Sequence, residues 1–167
     1  MFETACTTSF EAAVVSFDAL LRDHAVGDDQ LRRLLGMTEF WPGSATARAA
    51  LNFADARSES VGESRLRVLL HVHGLPVPVL QAEFHDASGL VARVDFYFPQ
   101  YNTVVEFDGR LKYGGGSAEV LVREKVREDR LRALGYQVVR SDWTDFDHPQ
   151  RLVTDIRQAF ARSQRGA

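Results

Sequence analysis

Apolar residues recur three or four positions apart through the first third of the chain and switch to alternation in its middle. From Ser9 to Leu21 ("SFEAAVVSFDALL"), Phe10, Val14, Phe17 and Leu21 share one helical face behind a serine able to cap the first turn. Shorter helical patterns follow in "DDQLRRLLG", opening on Asp28 or Asp29 and stopping at Gly36, and in "GSATARAALNFA". In "SESVGESRLRVLLHVHGL", Ser60 can cap and Glu63 stands three residues on, a capping-box pattern ahead of Leu66, Leu69 and Leu70. That helix is expected to end near Gly74.

Beyond it the period falls to two. "PVPVLQAEFHD" reads as a turn into a strand, and "LVARVDFYF" and "NTVVEFDG" as two more strands joined by "PQYN" as a hairpin turn. After "YGGGS", Ser117 can cap a long helix, "AEVLVREKVREDRLRAL", which Gly135 terminates. "YQVVRSDW" is a further strand. "HPQRLVTDIRQAFARS" is an amphipathic helix with Leu152, Val153, Ile156 and Phe160 on one face. This order predicts an α/β fold, a mixed sheet flanked by helices and preceded by a short helical segment. The strand, long helix, strand succession implies a right-handed crossover, which sets the last strand parallel to one of the hairpin strands. A helical lead-in over residues 1–57 and an α/β domain over 58–167 are the expected divisions.

Composition narrows the class. A chain of 167 residues, 45% hydrophobic, suits one ordinary core with a small appendage rather than two full domains. Its single cysteine, Cys6, excludes an intramolecular disulfide, and there is no zinc-finger spacing. No basic stretch precedes the first apolar segment, and no run approaches the roughly 18 apolar residues that span a bilayer. A soluble, cytoplasmic protein with no membrane attachment is expected. The net charge of −3 is unevenly spread. Residues 1–109 carry 8 Lys+Arg against 15 Asp+Glu, or −7, whereas residues 110–167 carry 12 against 8, or +4. The basic part is nearly all arginine, which suits bidentate phosphate contacts.

"NTVVEFDGRLKY" raises the chemical question, because two carboxylates one residue apart follow directly on two valines. If the hairpin turns symmetrically about Gln100 and Tyr101, facing residues have numbers summing to 201, and Asp95 faces Glu106. Such pairs have Cβ atoms about 4.5–5.5 Å apart. Strand alternation puts Asp108 on the same face as Glu106, so three carboxylates are expected to converge. Like charges facing across a sheet are destabilising. Solvent can screen them, a protein cation can pair with them, or a divalent metal can sit among them. A set of oxygen ligands with no His or Cys nearby favours Mg²⁺, or Mn²⁺, held by Asp95, Glu106 and Asp108.

The stretch "RVDFYFPQYNTVVEFDG", with Asp95 ten residues ahead of "EFDG", resembles the core of the very-short-patch-repair-like endonuclease group in the PD-(D/E)XK nuclease superfamily. It is most similar to an actinobacterial domain of unknown function often fused behind a winged-helix antitoxin-type segment. The resemblance extends upstream through "SESVGESRLRVLLHVHGLPVP" and downstream through "REDRLRALGYQVVRSDW", about residues 58–160. It implies a restriction-endonuclease-like core. By it, Asp95 and Glu106 match the pair that binds the catalytic metal, and Glu63 the acidic residue supplied by the first core helix. Gln81 matches a polar position beside the site, and Asp129-Arg130 an acidic-basic pair on the long helix. The sequence departs from the pattern twice. Asp108 stands where the wider superfamily has lysine, and Lys112 where nearer relatives have histidine.

The resemblance thus implies a Mg²⁺-dependent endonuclease that hydrolyses phosphodiester bonds in DNA. Lys112 either assists, by orienting water or stabilising the charge growing on phosphorus, or is a solvated loop residue. Arg110, Arg123, Lys125, Arg127 and Arg130 are the candidate backbone contacts. The Arg/Glu-rich run that holds most of them also reads as a solvated helix face laced with i,i+3 and i,i+4 pairs. The alternative function is a catalytically inactive regulator or antitoxin-like module binding DNA or a protein. The helical lead-in then supplies a homodimer or partner contact.

Overall fold

The computed structural model describes residues 2–24, 27–37, 39–109 and 118–165. The chain divides into two compact units, residues 1–68 and 69–167.

The first unit is helical: α1 (Phe2–Thr7), α2 (Phe10–Arg22), α3 (Asp28–Met37), α4 (Ser44–Phe53) and the opening turns of α5 (Val61–Val72). Ser9 caps α2 as its sequence predicts, its Oγ accepting from the Ala12 amide at 3.2 Å. Val14 and Phe17 of the α2 stripe are fully buried and pack with Leu31, Ala47, Ala50, Leu51 and Val68. The sequence pattern does not reveal α1, whose six residues are too few for a helical period to show. A buried ion pair adds a polar centre to this core. Both carboxylate oxygens of Asp18 accept from Arg67 Nη2 at 2.7 Å, and Oδ1 also accepts from the Asp55 amide at 2.8 Å. Arg67 donates besides to the Phe53 carbonyl, and its guanidinium lies 4.4 Å over the Phe53 ring.

The second unit holds the end of α5, β1 (Val79–Asp86), β2 (Gly89–Phe98), β3 (Thr103–Asp108), α6 (Ala118–Ala133), β4 (Gln137–Asp142) and α7 (Pro149–Arg165). The strands lie in the order β1-β2-β3-β4. The first two pairings are antiparallel, and β3 with β4 is parallel. An α/β unit with a mixed sheet flanked by helices is therefore what the chain forms. The hairpin register also follows the expected sum, in the pairs Phe96↔Val105, Tyr97↔Val104 and Phe98↔Thr103. The turn is a single 3₁₀ turn, Pro99–Tyr101, closed by Asn102 in a left-handed conformation at φ 40°.

Helix α6 packs on one side of this sheet, where its Leu131 joins a core with Val91, Val94, Val104 and Val138. Helix α7 packs on β3 and β4 with the residues its pattern assigns, Leu152, Val153, Ile156 and Phe160 all buried. The Phe160 ring meets Phe98 edge-on at 5.0 Å and stacks on Tyr101 at 4.0 Å. Burying each such side chain contributes about 1.5–3 kcal/mol. None of the described helices is long and apolar enough to cross a membrane.

Candidate functional site

Strand β3 changes character along one face. Val104 is fully buried in the core that α6 covers, and the next two side chains on that face are Glu106 and Asp108. Parallel pairing repeats the change on β4, since the register is Val104↔Val138, Glu106↔Arg140 and Asp108↔Asp142. On α6, Leu131 packs in the Val104–Val138 core and Arg127, one turn earlier, meets Glu106. The apolar layer thus gives way to charge at the carboxyl ends of β3 and β4, the usual place for a ligand in an open α/β sheet.

The antiparallel ladder stops at the same level. Its last pair toward the site is Phe96↔Val105; at the next position the Asp95 carboxylate itself accepts the Phe107 amide, Oδ2 to N 2.8 Å. Asp95 is thereby fixed by backbone beside Glu106. On the other side of β2, the register steps from Leu80↔Phe96 to Ala82↔Val94, which leaves Gln81 abreast of Asp95. Gln81 has φ 53° in mid-strand. A left-handed conformation for such a residue costs on the order of 1–3 kcal/mol and clusters at functional sites.

Asp95, Glu106 and Asp108 line one open cleft of about 320 Å³ with Arg93, Glu124, Arg127 and Arg140. Glu106 is buried, 8% exposed, and Arg127 Nη2 lies 3.1 Å from each of its oxygens, with Arg140 Nη2 3.9 Å from Oε2. Burial pushes the Glu106 carboxyl above its ordinary range, while the Arg127 and Arg140 charges pull against it and Glu128 and Glu124 add to the rise. Glu128 moves the other way. Burial opposes its ionisation, but hydrogen bonding and charge from Arg132, with Arg140 and Lys125, hold it below the carboxylate norm. At Glu106, pairing with the protein cations Arg127 and Arg140 offsets the crowding.

The metal implied by the resemblance can be tested against these donors. Among the described residues, no group of three His, Cys, Asp or Glu side chains is gathered to hold a metal ion. The three expected carboxylates share a cleft without closing into a three-ligand cage. Asp95 and Glu106 nevertheless fit Mg²⁺, a hard cation that takes one or two carboxylates and leaves its other positions to water and phosphate.

Other expected residues are not among the described residues that line the cleft. Glu63 belongs to the first unit and caps α5: its amide donates to Ser60 Oγ at 3.1 Å and its Oε2 accepts from the Glu59 amide at 2.8 Å. Gln81 flanks Asp95 in the sheet but is not part of the cleft lining. Lys125 pairs with Asp129 at 3.1 Å, and Arg130 is held by Asp86 at 2.6 Å and by Ser88, so Asp129-Arg130 does not act as a unit at the cleft. Arg123 and Arg130 line a neighbouring groove. Arg110 and Lys112 lie outside the described residues. Arg93, Glu124 and Arg140 line the cleft without having been expected there. Alternation from Asp95 places Arg93 on its face, but Arg140 could be found only with the parallel register in hand.

No family model matches the chain. No solved structure matches it either. Similar proteins include "Uncharacterized protein MT2308" of Mycobacterium tuberculosis strain CDC 1551 / Oshkosh. "Uncharacterized protein Rv2248" of strain ATCC 25618 / H37Rv is another. Each is 35% identical over 153 residues, which cover 91% of this chain and 56% of the relative. The chain therefore spans a little over half the length of the curated relatives it matches.

Proposed function

We propose that the second unit is a restriction-endonuclease-like, metal-dependent nuclease that hydrolyses phosphodiester bonds in DNA. One observation carries the reading: Asp95, anchored to the Phe107 amide where the ladder ends, and the buried Glu106 beside it open into a cleft that also holds arginines. A carboxylate pair alone would repel a phosphodiester. Arg93, Arg127 and Arg140 along the same walls supply the attraction.

Asp95 and Glu106 would hold Mg²⁺ or Mn²⁺, with Asp108 reaching the cleft two positions along. When bound, such a metal polarises the scissile phosphate and lowers the pKa of its water. The remaining work belongs to the protein. Arg140, beside Glu106 in register, neutralises charge gathering on the phosphate, and Arg127 moves between Glu106 and the incoming anion. The Phe107 amide keeps Asp95 in place throughout.

A second reading has an observation of its own. Glu106 is already paired with two arginines, which suits a catalytically inactive module of the same fold that binds DNA or a protein partner, with the N-terminal helices as a contact. Plasmid nicking in Mg²⁺ or Mn²⁺ separates the two. Hydrolysis by the wild type, abolished in both Asp95→Asn and Glu106→Ala, supports the nuclease. Tight DNA binding with no nicking by the wild type overturns it in favour of the module.

A further inference from the structure

Beside the acidic cleft runs a second depression of about 310 Å³, lined by Val91 of β2 and by Val122, Arg123, Val126, Arg127 and Arg130 of α6. Its chemistry differs from that of the cleft. No carboxylate is among its described lining residues, and the valines are left open, Val122 at 61% and Val126 at 53% exposure. Arg127 lines both depressions, so the groove leads directly to Glu106. We propose that this groove holds an unpaired DNA strand, phosphates on the arginines and base faces on the valines, and leads it past Arg127 to Asp95 and Glu106. The proposal rests on the nuclease reading and names its substrate as single-stranded or locally opened DNA.

The spacing suits one strand. Arg123, Arg127 and Arg130 stand at i, i+4 and i+7, on one helix face, and span about 10 Å at 1.5 Å per residue. A strand at duplex rise carries one charge per roughly 3.4 Å of axis and a stretched unpaired strand fewer, so the row meets at most about three phosphates. Arg123 pairs with no other described residue and is available to an incoming anion. Arg130, about one-third exposed, exchanges its partly open partner Asp86 for phosphate at little cost, while Arg127 keeps the buried Glu106 and offers its remaining N–H groups to the strand.

The valines argue for unpaired DNA. A duplex turns phosphates and sugars outward and keeps its base faces stacked, so Val122 and Val126 would face water or charge against it. An unpaired strand can lay bases on an apolar floor, a contact that tolerates any sequence because every base has an apolar face. An acidic amphipathic peptide is the competing occupant, and the test includes it.

Anisotropy of a fluorescein-labelled oligothymidylate on the full-length protein, in EDTA to prevent cleavage and across a KCl series, reads the groove without turnover. The single strand is expected to bind at least about tenfold more tightly than a duplex of equal length. Arg123→Ala reduces the slope of log affinity against log salt by about 0.7, the value for one single-strand phosphate contact. Val122→Ser/Val126→Ser, at exposed positions that the fold does not depend on, weakens single-strand binding about fivefold or more with the slope unchanged. Duplex binding as tight as single-strand binding, an unaffected valine double variant, or stronger binding of an acidic helical peptide at the same site overturns the proposal. Single-strand binding that needs these valines, with cleavage of neither plasmid nor single-stranded DNA in Mg²⁺ or Mn²⁺, sinks the nuclease reading and leaves the groove standing. Nicking with a groove indifferent to its valines does the reverse.

Discussion

Replacing Asp18 with alanine would strip the first unit of the acceptor that holds Arg67. Asp18 is fully buried and receives two bonds from Arg67 and one from the Asp55 amide. Its removal strands a guanidinium that is 7% exposed and whose Nε already lacks a partner. Leaving one member of a buried pair costs about 3–5 kcal/mol. Native stability of roughly 0.05–0.15 kcal/mol per residue gives a unit of 68 residues about 3–10 kcal/mol in all. The loss therefore takes between about a third and all of the unit's stability. Urea unfolding followed by fluorescence reads this cleanly, because the two tryptophans, Trp41 and Trp143, lie in different units. On a Trp143→Phe background, Asp18→Ala should abolish the Trp41 transition or move it to far lower urea. Asp18→Leu/Arg67→Met, which removes both charges, should recover about 2 kcal/mol or more over Asp18→Ala. A loss below about 1 kcal/mol in Asp18→Ala would refute the reasoning.

Glu106→Gln should stabilise the protein at pH 7 and raise its Tm. Burial raises the Glu106 pKa, so its favourable contribution is complete below the unfolded value of 4.5 and is lost as pH rises through the folded one; the advantage of glutamine should shrink to nothing toward pH 4 by calorimetry. Asp86 behaves oppositely. The Ser88 hydroxyl and the Arg130 guanidinium hold it at about 2, so its contribution is present above 3.8 and fades as pH falls toward 2, and carboxyl NMR should find it titrating there and rising in Arg130→Ala. Gly43→Ala should cost about 2–4 kcal/mol in urea unfolding, since φ is 80° and a Cβ would fall 1.8 Å from the Cys6 carbonyl oxygen.

What could be read in advance was whatever repeats. The α2 stripe, the hairpin symmetry that pairs Phe96 with Val105, and the α7 face of Leu152, Val153, Ile156 and Phe160 all rest on local periods, and each stands in the structure as read. The carboxylates were legible for the same reason, because alternation alone puts Glu106 and Asp108 on one face. Their partners were not. Arg140 reaches Glu106 only through a parallel register set across the intervening helix, and Arg127 only through the rotation at which α6 docks. The Asp18–Arg67 pair was hidden likewise, since 49 residues separate its members and Asp18 sits inside an apolar helical stripe. Glu63 illustrates the converse: its spacing from Ser60 predicts a local capping role, and the structure gives that role through Ser60 Oγ on the Glu63 amide and Glu63 Oε2 on the Glu59 amide, one residue ahead of the cap.

The central claim is that Asp95 and Glu106 form a seat for a hard divalent ion beside arginines that answer to phosphate. A crystal of the protein soaked in Mn²⁺, with data collected for anomalous scattering, tests it most directly. The account predicts an anomalous peak bonded to one oxygen of each carboxylate, with the Arg127 guanidinium withdrawn from Glu106. Full Mn²⁺ in the solvent, no peak between the two side chains, and Arg127 still seated on both Glu106 oxygens would contradict it.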